Sequence, residues 1–501
     1  MELKMSISNI KSIHYLDFNF PLESGLYAIT GENSSGKSTL VTCAATVFYE
    51  MPMYDYIGRP NNDASIRFEL NGATRSWIFQ SGKWIKDNST EKMKINGFYE
   101  GSIIFGNRFR DAIFSKVRIL DGLHLNDLEA AEEYIREKLG EVLHDDISFY
   151  KNLYVMKGTV AKNKGLSGTP YFYSYNGNLV NQARMSTGEN LLVGILHSLN
   201  LLRKKRTIHN DGRPCIVFLD EIELALHASA LRRLVHLLTG FAEEYNCAIF
   251  FSTHSLELLR GIKPQNMYYL SKLINGTTNV TNPCYPAYAT RNLYSDDGYG
   301  LDFVIFVEDD VAQNIVERVM LEKDLLPNAR VKILPAGGWT NTISMAFDVI
   351  SSHLLLKDTR ILIVLDKDIK PQVPGFLKSN PKYKNLKVDY LPISSLEKYL
   401  KKGLVDQFDK VLYEKLDKYV FQKKPLSALL NEYAKTSDVI ADRDGKSLYG
   451  CLINELRGMR KDRNELVEVI IKHVMSTDTQ SIDELGKFLS EQFDVSANSV
   501  Q

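Results

Sequence analysis

"GENSSGKSTL" occupies residues 31–40, directly after the apolar run "LYAIT" at residues 26–30. A buried-strand pattern, a glycine-bounded loop and a helix-compatible stretch form the setting in which the spacing G-x-x-x-x-G-K-S binds phosphate. Backbone N–H groups of such a loop and the N-terminus of the following helix cradle phosphate oxygens, and the lysine reaches the β and γ phosphates. The expected ATP contacts are therefore Gly31, Asn33, Ser34, Ser35, Gly36, Lys37, Ser38 and Thr39, with Ser38 also a ligand for Mg²⁺.

The chain has 501 residues and a mass of 57.0 kDa, which predicts two to four domains. Its hydrophobic fraction of 44% is spread over short runs, none approaching the roughly 18 to 20 apolar residues of a membrane helix. The opening "MELKMSISNI" has no apolar signal core, so the expectation is a cytoplasmic protein without a membrane partner. Cys43, Cys215, Cys247, Cys284 and Cys451 show no CxxC spacing, which argues against a zinc site or a disulfide framework and predicts reduced thiols. Lys plus Arg and Asp plus Glu are balanced at 61 each, so any polyanion site must be a local patch.

Along residues 1–290, strands and helices alternate. Within them, residues 90–185 read as an insertion, with a helical run "LNDLEAAEEYIREKLGEVL" (125–143) and a hairpin or loop at "GLSGTPYFYSYNGN" (165–178). A linker rich in Pro, Asn, Asp and Gly follows at 277–300. A second α/β rhythm then occupies 300–403, with strands at "FVIFVE", "RVKILPA" and "RILIVLD", and 404–501 is helical.

Three further motifs accompany the phosphate loop. "CIVFLDEIE" (215–223) is an apolar strand ending in Asp220, suited to Mg²⁺, and Glu221, suited to activating water. "AIFFSTHSLELL" (248–259) places His254 after another buried strand, where an imidazole can contact the γ-phosphate. "MSTGEN" (185–190) read alone is an N-capped helix, and it also offers Ser186, Gly188 and Glu189 to a phosphate.

In this order the four motifs resemble ABC-type ATPase heads of the RecF, SMC and Rad50 class, over about residues 1–270. The resemblance implies that Ser186 faces the nucleotide of a second subunit, hence a homodimer or higher oligomer closing on two ATP molecules. "STGEN" departs from the family's usual Ser-Gly-Gly-Gln/Glu, and Ile222 and Ala228 stand where relatives often carry proline.

The second α/β segment carries acids at strand ends: Glu308, followed by Asp309 and Asp310, and the pair Asp366 and Asp368. Residues two apart on an extended chain share a face, and a parallel neighbour brings Glu308 alongside. Converging carboxylates repel unless a cation sits between them, and hard oxygen ligands suit Mg²⁺ or Mn²⁺. Acidic, solvated strand ends are equally ordinary in α/β folds. The spacing resembles a TOPRIM domain, although the glycine usual after the glutamate is absent.

An ABC head followed by TOPRIM resembles the OLD (overcoming lysogenization defect) nuclease family, which also occurs in Gabija-type and retron-linked defence. That resemblance implies metal binding by Glu308, Asp310, Asp366, Asp368 and Glu397 of "LPISSLEKYL", and a catalytic Lys446 in "DRDGKSLYGCL". It also implies catalytic roles for Glu221, His254, Glu308, Asp366 and Asp368. DNA is the implied substrate, and a reverse transcriptase with its non-coding RNA/DNA is a possible defence partner. Lys378, Lys382, Lys384 and Lys387 around Tyr383, and "RKKR" at 203–206, are either DNA contacts or solvated surface. The competing expectations are a sensor ATPase with an inactive TOPRIM-like domain and a RecF-like repair ATPase.

Overall fold

A computed structural model of the chain describes residues 1–48, 57–60, 63–86, 93–101, 114–166, 168–208, 212–291, 300–325, 328–355, 358–436 and 438–493. It divides into two compact units, Met1–Asp296 and Asp297–Gln501.

The first unit is layered around a six-stranded sheet. Strands β1 (Glu2–Ile10) and β2 (Ile13–Pro21) bury alternate residues, as a one-sided sheet requires. With β4 (Ser65–Leu70), β5 (Ala73–Gln80) and β6 (Lys83–Lys86) they form an antiparallel sheet in the order β2-β1-β4-β5-β6. The central sheet contains β3 (Gly25–Gly31), β7 (Asn96–Glu100), β12 (Cys215–Leu219), β13 (Ala248–Ser252), β14 (Met267–Lys272) and β15 (Thr278–Thr281). Its order is β15-β14-β3-β13-β12-β7, parallel except for β15. β12 and β13 are buried at every residue, which is why they read as unbroken apolar runs.

One face of the central sheet packs on the first sheet, where Phe20 meets Phe218 and Phe250 edge-on at 5.3 and 5.0 Å. The other face is covered by helices α2 (Glu133–His144), α3 (Thr187–Ile208) and α4 (Ala228–Glu244). Helix α1 (Lys37–Ala45) leaves β3 through the phosphate loop. Gly97 is pressed so tightly into the sheet that a Cβ there would lie 1.7 Å from the Ile216 carbonyl oxygen.

Three expectations need correction. The stretch read as a linker from residue 277 contributes β15 to the central sheet. The segment read as one helix over 125–143 is a short 3-10 turn, strand β8 (Leu128–Ala130) and only then α2, because β8 pairs with β9 (Leu153–Met156). The insertion is therefore not simply helical: β8 and β9 join β10 (Tyr171–Tyr175) and β11 (Asn178–Asn181) in a four-stranded antiparallel sheet. β7, placed inside the insertion by the sequence, instead belongs to the central sheet beside β12.

The second unit has a parallel sheet in the order β17-β16-β18-β19, from β16 (Phe303–Val307), β17 (Val331–Pro335), β18 (Arg360–Leu365) and β19 (Val388–Tyr390). Helices α5 (Asp310–Glu322) and α6 (Trp339–Ser351) supply the crossovers. Among the described residues the helices that follow are α7 (Leu396–Lys401), α8 (Lys410–Tyr419), α9 (Leu426–Thr436), α10 (Lys446–Gly458), α11 (Arg463–Thr477) and α12 (Thr479–Phe493). The last returns to the sheet, with Phe493 against Phe303 at 4.8 Å and Arg360 donating to the Gln492 carbonyl. Among the described residues no helix is long and apolar enough to cross a membrane.

Candidate functional site

In the first unit the site grows from the junction of β3 and α1. A Cβ at Gly31 would lie 2.1 Å from the Leu270 carbonyl oxygen, and Gly36, at φ 104, packs on Ile13. Both positions need glycine. Ser34 lies at φ 63, so the chain doubles back before the helix. Helix α1 has no side-chain cap and no acid in its first turn, which leaves its positive end open to an anion.

Lys37 is buried, and its Nζ donates to the carbonyls of Gly31 at 3.2 Å and Glu32 at 2.8 Å. Burial lowers its amine to about 8, while Glu221, Asp220, Glu223 and Glu32 pull the other way. Its positive charge is thus held at a cost that an entering phosphate would offset.

Asp220 is 3% exposed at the end of β12. Burial raises its carboxyl above the usual range, and hydrogen bonds from Ser252 and Ser38 lower it. Ser38 and Asp220, the two expected Mg²⁺ ligands, therefore meet. Glu221 follows at φ 52, a left-handed conformation uncommon for a residue other than glycine, and its N–H donates to Ser252 Oγ at 3.0 Å. His254 N–H donates to Glu223 Oε1 at 2.8 Å. Burial, then Lys37, lowers the His254 imidazole to about 4, so it is neutral around pH 7.

Thr30 Oγ1, Ser35 Oγ, Glu223 Oε2 and His254 Nδ1 are buried without a partner among the described residues. Buried polar atoms seldom stay unpaired, so this concentration fits a polar ligand such as a nucleotide phosphate with its hydrated cation. Glu223 was not among the expected site residues, and neither was Glu100 at the end of β7. The Asp220 N–H donates to the Glu100 carbonyl at 3.0 Å, and burial raises the Glu100 carboxyl to about 7. Glu223 had a signal, an acid two residues beyond Glu221, whereas Glu100 had none.

The "MSTGEN" segment opens α3 as a reciprocal cap: Ser186 N–H donates to Glu189 Oε2 at 2.7 Å, and Glu189 N–H to Ser186 Oγ at 3.2 Å. The other Glu189 oxygen accepts from Tyr150 at 2.6 Å. Glu189 thus caps the helix that carries Ser186. Ser186 is exposed, and Gly188 is pressed against the Ala225 carbonyl in the turn after Glu221, 2.7 Å from where a Cβ would stand.

In the second unit β16 and β18 are parallel neighbours, and the Asp366 N–H donates to Glu308 Oε1 at 2.9 Å. Burial, followed by the charges of Glu308, Asp309, Asp368 and Glu397, pushes the Asp366 carboxyl up to about 8. The remaining expected ligands are differently engaged. Lys398 pairs with Asp368 at 2.7 Å and reaches Asp444 at 3.4 Å. Arg463 pairs with Asp310 at 2.6 Å. Among the described residues no three His, Cys, Asp or Glu side chains are grouped as a metal site needs; Glu308 and Asp366 meet on the adjacent strands. Lys446 is exposed at the start of α10, next to Gly445, whose Cβ would lie 2.3 Å from the Glu397 carbonyl oxygen.

The basic stretches are partly structural. Tyr383 is 6% exposed and stacks on Phe376, with Lys382 over its ring, so it is not a free platform for a base. In "RKKR", Arg203 lies over Tyr134, Lys204 pairs with Glu132, and Arg206 donates to the carbonyls of Tyr245, Arg213 and Asn246.

Residues 4–184 match the family described as AAA domain. Similar solved structures are the SMC head domain from Thermotoga maritima (16% identity, TM-score 0.32) and the Smc head bound to the C-winged helix domain of ScpA (13%, 0.36). Each likeness covers 56% of this chain, and 99% and 96% of those chains. A Smc head with an extended coiled coil bound to the C-terminal domain of ScpA, from Pyrococcus furiosus, is 11% identical at TM-score 0.35, covering 58% of this chain and 98% of that one. No curated protein matches the sequence. The AAA domain match, together with the loop geometry, supports an ATPase assignment for the first unit.

Proposed function

We propose that this protein is an ATP-controlled, divalent-metal-dependent DNA endonuclease or nickase of the OLD type, acting in antiphage defence. The observation that carries the reading is the Glu308–Asp366 pair on adjacent parallel strands, with the Asp366 carboxyl pushed to about 8 in the company of four other acids. A divalent cation, Mg²⁺ or Mn²⁺, relieves that repulsion, and Glu308 and Asp366 would hold it with Glu397 within electrostatic reach. When bound, such an ion supplies Lewis-acid stabilisation of a phosphodiester and an activated water. Lys446, at the head of α10, would offset charge on the phosphate.

Phosphodiester hydrolysis itself needs no ATP, so the nucleotide controls when cutting occurs. Lys37 and the loop Gly31–Thr39 bind the phosphates, Ser38 and Asp220 hold Mg²⁺, Glu221 orients water, and the neutral His254 contacts the γ-phosphate. Ser186 of a second copy completes the site, and the resulting homodimer is the regulated state. A reverse transcriptase with its non-coding RNA/DNA would be a partner supplying the trigger.

A second reading, a sensor ATPase whose TOPRIM-like unit recruits another effector, is favoured by one observation. Asp368 and Asp310 are already neutralised by Lys398 and Arg463. Cleavage of supercoiled and linear DNA with Mg²⁺ or Mn²⁺, with and without ATP, separates the two. Nicking by the parent chain that disappears in Asp366→Ala supports the nuclease; unchanged cleavage in Asp366→Ala, or none by the parent under any condition, sinks it.

A further inference from the structure

Ser186 sits at the mouth of α3 in a turn that its own sequence fixes only halfway. Its N–H is held by Glu189 Oε2, but a glutamate at the third helical position has several staggered rotamers open to it. What selects one is a residue of the insertion. Tyr150 is fully buried, and its hydroxyl donates to Glu189 Oε1 at 2.6 Å, with His144 Nε2 3.2 Å from the same hydroxyl. His144, Tyr150, Glu189 and Ser186 thus form one continuous chain of hydrogen bonds.

The segment carrying Tyr150 is itself rigid. Helix α2 stops at Asp145 in the left-handed conformation, and Gly140 lets the Asp146 carbonyl approach to 2.2 Å from where a Cβ would stand. Asp146 Oδ1 accepts from both the N–H and the hydroxyl of Ser148. Arg233 on α4, the helix that follows Asp220 and Glu221, donates to the carbonyls of Val142 at 2.8 Å and Leu143 at 3.3 Å. The end of α2 is therefore tied at once to the turn bearing Ser186 and to the helix behind the acidic pair.

We infer that Tyr150 is a positioning residue for the ATPase: through Glu189 it holds Ser186 in the orientation that meets the nucleotide of a second copy. The inference rests on the reading that Ser186 acts in trans. Tyr150 touches neither Lys37 nor Asp220, so its loss should leave ATP binding by one protomer intact and impair only the step that needs two.

Tyr150→Phe removes one hydroxyl and keeps the ring. The expected result is an ATP turnover number lowered about tenfold, the effect of losing one hydrogen bond to a charged acceptor. ATP-dependent dimerisation should weaken in parallel. The dissociation constant for a fluorescent ATP analogue should match the parent, while the unfolding temperature falls slightly because the same buried bond is lost from the fold. In a Glu189→Ala background the same change should have no further effect, since the group it acts through is gone. Turnover equal to the parent in Tyr150→Phe, with Ser186→Ala inactive, overturns this inference alone. Full turnover in Ser186→Ala overturns the trans reading, and this inference with it. A weakened affinity for the ATP analogue, or an equal loss in the Glu189→Ala background, assigns Tyr150 a merely structural role and overturns the inference.

Discussion

Asp220 and Asp366 both end a buried parallel strand, and both carboxyls are raised by burial, yet their neighbours differ in kind. Asp220 is met by the hydroxyls of Ser252 and Ser38 and by the charge of Lys37, all of which favour its ionised form. Asp366 is met by Glu308, Asp309, Asp368 and Glu397, all of which oppose it. The first acid also stands beside Glu221 and Glu223, which Lys37 alone does not balance, so what that site lacks is a phosphate for Lys37 together with a cation for the acids. The second lacks a cation. One fold position, the end of a parallel strand, is thus prepared for two different guests by what faces it.

The sharpest way to break this contrast is at Lys37. Lys37→Ala should weaken ATP binding by roughly a thousandfold, because it removes the buried cation aimed at the phosphates. Titration calorimetry with a non-hydrolysable analogue measures it, and an unchanged affinity would remove the first site from the comparison. Next comes Glu308→Gln, which deletes the first charge facing Asp366. It should lower Mn²⁺ affinity and DNA cleavage by roughly a hundredfold while ATP hydrolysis stays at the parental rate.

A smaller effect, in the opposite direction, is expected at Lys398. Lys398→Met strips the basic partner from Asp368 and should strengthen Mn²⁺ binding by about tenfold, read in the same titration. Weaker binding would mean that the lysine supports the site by shape and not by opposing a cation.

The smallest effect is a pH dependence at Glu100. Its folded carboxyl titrates near 7, against an ordinary value of 4.5 in the unfolded chain. Its stabilising contribution is therefore complete below about pH 4.5 and declines as pH rises to about 7. Glu100→Gln should be more stable than the parent by about 1–2 kcal/mol at pH 8 and equal to it at pH 4.5. Thermal melts in EDTA at the two values would show it, and equal melting temperatures at pH 8 would place Glu100 in water.

Much of the central sheet is legible because its strands are buried on both faces and leave unbroken apolar runs, as "CIVFL" and "AIFFS" do. The phosphate loop is legible for a different reason: its glycines answer local demands, such as the carbonyl of Leu270 crowding Gly31. Leu128–Ala130 looks helical because nothing nearby announces that β9 will pair with it. Tyr150 is silent in the same way, since its partner Glu189 lies 39 residues further on. The charges of Asp310 and Asp368 are visible in the sequence; their cancellation by Arg463 and Lys398 is decided by helices packed from elsewhere in the second unit.

With φ at 149 and the Ile216 carbonyl in the space of any side chain, position 97 admits no other residue without parting β7 from β12. A library randomised over residues 96–100 and selected for soluble, folded chains should return glycine alone at 97. A single absent methyl group thus sets how near the edge strand lies, and with it the address at which Glu100 arrives beside Asp220.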